Sequence, residues 1–205
     1  VTYLLITLLV ALVLPLLTSS WRLSLVGLGV QGLLMTAMVV QRGWDYSAPN
    51  LLLLIDLLVL RTWFVPRHLF AIMREQGGPA RSDVIPANLL SWTMAGALVL
   101  VGFRFAALLH PAGGVMTTHV AVATSGLLLG LLVLATQVST FGQILGVLRV
   151  EYAIALFELA AGSEPGLPVQ VGVTSVLFLS VLTLGSFLRK LGAVGPATTA
   201  GERAR

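Results

Sequence analysis

Along this chain, apolar runs of about 20 residues alternate with short polar breaks, and a helix of roughly that length spans a hydrocarbon core about 30 Å thick. The pattern predicts seven membrane-spanning helices. The first covers Thr2–Thr18, the second Leu23–Gln41, and the third Pro49–Met73, interrupted by Pro66. The fourth covers Ile85–Leu109, the fifth Val115–Val138, the sixth Thr140–Ala161 and the seventh Val169–Lys190. The expected fold is therefore all-α and polytopic. Residues 1–190 form a single transmembrane domain, with the first four helices in 1–110 and a three-helix unit in 115–190. Residues 191–205 are small and polar and read as a loose tail.

Basic residues fix the expected orientation. Arg22, Arg67, Arg74, Arg81, Arg189, Lys190, Arg203 and Arg205 fall on one side of such a seven-span layout, against Arg42 and Arg104 on the other. Cytoplasmic flanks carry the excess of Lys and Arg, so the N-terminus is expected outside and the C-terminus inside. The first apolar run has no basic stretch before it and no clear cleavage site after it, and reads as a retained helix.

Composition agrees with the pattern and narrows the chemistry. The chain is 57% hydrophobic and 10% charged, with a mean hydropathy of +0.98. Soluble domains are about 25% charged. The absence of cysteine excludes disulfides, thiolate catalysis, cysteine zinc sites and cysteine-ligated iron–sulfur clusters. His68, His110 and His119 are scattered, which argues against paired haem ligation. No cofactor or metal is expected. The isoelectric point near 10.3 does not point to nucleic acid, because the basic residues lie at helix ends without interleaved aromatics. No inter-helix loop in the predicted layout is long enough for a soluble catalytic domain, so catalysis by this chain alone is not expected.

Most charges have a bland explanation at helix ends, but five within the predicted spans do not: Asp56, Arg61, Arg149, Glu151 and Glu158. At mid-membrane each costs about 2.5–3.5 kcal/mol or more on insertion scales, so such residues are shielded, paired or functional. Glu151 lies near the middle of the sixth helix. Glu158, seven residues on, shares its face but lies nearer the outer boundary, whereas Arg149 points to the other side. The two carboxylates are candidate steps of a proton path, or else structural partners for cations on a neighbouring helix or subunit. Asp56 and Arg61 are five residues apart, roughly 140° around an α-helix, and are expected to find partners elsewhere rather than each other. Arg67 and His68 read as interface anchors. His119 reads first as a packing residue and only second as a proton carrier. The glycine pairs Gly126/Gly130 and Gly142/Gly146 suggest close packing of the fifth and sixth helices.

The stretch QILGVLRVE at Gln143–Glu151, the acidic loop GSEPG and a last helix ending LRKL resemble the hydrogenase-4 component E family. WRLS at Trp21–Ser24 and Arg61, just before Val65–Pro66, agree with its N-terminal half. The last three helices of that family are similar to the K subunit of complex I and the C subunit of multisubunit cation/proton antiporters. The resemblance implies a non-catalytic membrane subunit beside antiporter-like partners in a bacterial or archaeal inner membrane. It implies that Glu151 replaces the intramembrane glutamate of the middle K-type helix and Arg61 the basic residue of the third helix. The chain departs from the family in its last helix, where Val176 stands in the place of a carboxylate. The alternatives are a structural assembly subunit with no ion path, and, less favoured, an independent seven-helix receptor, pump or transporter. The lone Lys190, at the end of the last helix, does not suit a retinal pump.

Overall fold

A computed structural model describes residues 2–17, 20–41, 47–75, 89–111, 113–161 and 166–202, with side chains through residue 191 except for 14–17. Among them are seven helices and no strand. We label these α1 (Thr2–Leu17), α2 (Trp21–Gln41), α3 (Ala48–Glu75), α4 (Leu89–Leu109), α5 (Val115–Thr136), α6 (Thr140–Ala161) and α7 (Leu167–Glu202). The expected arginine-containing loop between α3 and α4, the GSEPG loop except Gly166, and the flanking Arg42, Arg81, Arg203 and Arg205 lie outside the described residues.

Five helices are long and apolar enough to cross a membrane: α2, α3, α4, α5 and the Leu167–Leu191 part of α7. This set supports a multi-pass membrane protein, with fewer self-sufficient spans than the seven expected. The apolar part of α1, Thr2–Val13, is shorter. α6 has 22 residues but carries Arg149, Glu151 and Glu158, which take it out of that set. α7 continues past Lys190, through Glu202.

α5 is the centre of the bundle. It lies between α4 and α6 and also touches α1. Small residues make these approaches close. A Cβ on Gly130 would come within 2.9 Å of the Val150 amide nitrogen, and one on Gly146 within 2.7 Å of that of Leu134. The expected tight α5–α6 packing is thus present. On α4, Gly102 faces Ser125 of α5, and Ala95 and Ala106 are buried on the same helix. α2 packs on α1 and α3, and α7 rests mainly on α3. At the end of that contact Arg189 donates to Glu75 across 2.9 Å.

Two prolines leave backbone carbonyls without their helical donors, and neighbouring helices respond. Pro15 has no N–H to give the carbonyl of Ala11, four residues earlier. Gln31 of α2 donates its Nε2 to that carbonyl at 3.3 Å. Pro66 has a comparable effect in α3, and it bears directly on the charged site.

A charged cluster between α3 and α6 as candidate functional site

The third helix is not α-helical throughout. Ile55–Phe64 is π-helical, between α-helical Ala48–Leu54 and Val65–Glu75. Its i→i+5 bonding is visible where the Val65 N–H donates to the carbonyl of Leu60. The Thr62 hydroxyl follows the same interval, donating to the carbonyl of Leu57 at 2.8 Å.

This register overturns the expectation for Asp56 and Arg61. With i→i+5 bonding, residues five apart become axial neighbours instead of diverging around the helix. Arg61 Nε donates to Asp56 Oδ2 at 2.8 Å. The same guanidinium reaches α6: Nη1 donates to Glu151 Oε2 at 3.0 Å and Nη2 to Glu151 Oε1 at 2.8 Å. The planar fork of arginine matches a carboxylate in this two-pronged way, which a lysine cannot do. Glu151 therefore has a cation within its own chain, on a neighbouring helix, the first of the two sources that the sequence left open.

Tyr152 closes the site from behind. In the π register the carbonyl of Arg61 would be bonded by residue 66, but Pro66 has no N–H, and the Val65 N–H is already committed to Leu60. The Tyr152 hydroxyl supplies the missing donor at 2.6 Å. Its ring also lies 5.1 Å from the guanidinium carbon of Arg61, within cation–π range. On the far side, α2 meets the π-helical segment through glycine. A Cβ on Gly32 would come within 2.9 Å of the Thr62 amide nitrogen.

The cluster is buried on one side and open on the other. Arg61 is fully buried and Asp56 is 2% exposed, while the Glu151 side chain keeps 30% of its surface open. Two carboxylates share one guanidinium, so with all three ionised the formal charge is −1. Asp56 Oδ1 is buried and has no hydrogen-bond partner. Such a constellation leaves one carboxylate charge unbalanced and can attract a cation to the open side.

The other candidates lie apart from it. Glu158 is exposed on the same face of α6 as Glu151, as expected, but no ion pair among the described residues joins it to the cluster. Arg149 points the other way and is 2% exposed, donating Nη1 to the Leu12 carbonyl at 3.4 Å. His119 is buried in α5. His68 stacks on Phe64 and touches Gly185 of α7, while Arg67 is exposed over the Trp63 ring. Val176 is 65% exposed on α7. Tyr152, Gln31 and Gly32 were not singled out by the sequence; Tyr152 could have been noticed as the neighbour of Glu151. No group of three His, Asp or Glu residues among the described ones could hold a metal ion. Set beside known protein families, curated proteins and solved structures, the chain matches none of them.

Proposed function

We propose that this chain is a non-catalytic integral membrane subunit of a redox-driven, ion-translocating complex of the hydrogenase-4, formate hydrogenlyase or complex I type. In this reading Glu151 is an intramembrane proton-exchange site between antiporter-like neighbours, in a bacterial or archaeal inner membrane with the C-terminus cytoplasmic. Arg61 and Asp56 set its proton affinity through coupled titration. The observation that carries the reading is the Asp56–Arg61–Glu151 cluster: one cation, two carboxylates, and an opening at Glu151 alone. The resemblance at Gln143–Glu151 supports the class of complex. A static role is favoured by one feature, the two-pronged capping of Glu151 by Arg61. In that second reading the cluster only fastens α3 to α6 within an assembly.

Purification from native membranes in mild detergent tests the first part, since antiporter-like polypeptides should accompany the chain. A chain that runs alone contradicts it. Ion translocation by Glu151→Gln in assembled complex tests the second. The relay expects translocation to fall while assembly persists, and unchanged translocation favours the static reading.

A further inference from the structure

The outer face of α6 is the part of the site that the chain itself leaves uncovered. Gln143, Val147, Ile154 and Glu158 are exposed along it, with the open edge of Glu151 between them. Their spacing of three and four residues draws one straight stripe along the helix. From Gln143 to Glu158 the stripe runs about 22 Å at 1.5 Å per residue, most of the hydrocarbon thickness. Lipid tails are a poor covering for it. Glu151 lies mid-helix, the cluster behind it has a formal charge of −1 when ionised, and Glu158 adds a second carboxylate without an ion pair among the described residues. Asp56 Oδ1, buried in the same cluster, also lacks a partner. Among the described residues, the exposed stripe carries Gln143, two carboxylates and apolar side chains, and the cation nearest to it, Arg61, is buried behind Glu151.

We infer that this stripe is a docking seam for a membrane-spanning helix of a different polypeptide, and that this helix brings a lysine or arginine to the level of Glu151. The inference rests on the proposed membership of a membrane complex and specifies the partner at that site. Val147 (42% exposed) and Ile154 (48% exposed) bracket Glu151 and supply the apolar contacts. The incoming cation balances the second carboxylate that Arg61 cannot fully neutralise.

The chain has no cysteine, so single-cysteine variants can be labelled without removing native thiols. Val147→Cys and Ile154→Cys are coupled to a benzophenone photo-crosslinker in native membranes. Leu100→Cys on α4, 62% exposed, is the control. Both stripe positions should crosslink to one membrane-spanning segment that carries Lys or Arg within a helical turn of the crosslinked residue. Changing that residue to Gln should lower the yield several-fold. Crosslinks to lipid alone, to a second copy of this chain, or to a segment without a basic residue each overturn the inference. The two claims fail separately. Loss of the seam with Glu151-dependent translocation intact removes only the seam. An intact seam with unimpaired translocation in Glu151→Gln removes only the relay.

Discussion

Asp56 and Arg61 stand five residues apart in one helix and form an ion pair at 2.8 Å, a contact that depends on the π-helical register of Ile55–Phe64. The pair leaves the η nitrogens of the guanidinium free to grip Glu151 across 90 residues of sequence. Replacing Arg61 by Met strands two carboxylates. Breaking a buried pair in this way costs about 3–5 kcal/mol, whereas replacing all members with apolar residues is often neutral. Arg61→Met should lower thermal stability in detergent sharply. The triple variant Asp56→Leu, Arg61→Met, Glu151→Leu should recover most of the loss. A triple variant no more stable than the single one contradicts this account of the cluster.

Tyr152→Phe removes the donor to the Arg61 carbonyl and leaves that buried acceptor unpaired, at a cost of about 1–3 kcal/mol. Pro66→Ala restores a backbone N–H nearby. The cost of Tyr152→Phe should therefore shrink in a Pro66→Ala background, read as a coupling energy from a double-mutant cycle. Additive effects would show that the hydroxyl does not compensate for the proline.

The same logic applies at the other proline. Gln31→Leu should destabilise by about 1–3 kcal/mol because the Ala11 carbonyl loses its donor. In a Pro15→Ala background, where a backbone N–H is available, the penalty should fall. Denaturation of the four proteins in one detergent measures both terms.

Close packing of α5 on α6 makes Gly146 intolerant of a side chain. Gly146→Val meets the backbone of Leu134 and should cost about 1–3 kcal/mol or more through overpacking. Gly96 on α4 has open space around it, so Gly96→Ala should be neutral or stabilising by up to about 1 kcal/mol. Equal effects at the two positions would contradict the described packing.

The helices were largely legible from hydropathy. Thr140–Ala161 appears with the bounds read from the sequence, and Val115 begins α5 as expected. Spacing also placed Glu151 and Glu158 on one face and Arg149 on another, since those inferences need only regular α-helical geometry. The site was legible in its members but not in its connections. A regular α-helical register separates Asp56 from Arg61, and Pro66 alone does not announce a change of register that starts eleven residues before it. The partner of Glu151 lies on a helix 90 residues earlier, a relation that only packing can establish. α7 runs on beyond Lys190 through Gly192, Gly195 and Pro196, residue types that intrinsic propensity places outside a helix.

Infrared difference spectroscopy on the assembled complex, comparing resting and turning-over states, reports directly on protonation of membrane carboxyls. Exchange at Glu151 predicts a carboxylic-acid C=O band that changes with turnover and vanishes in Glu151→Gln while remaining in Glu158→Gln. A spectrum with no such band, or a band indifferent to Glu151→Gln, would contradict proton exchange at this residue.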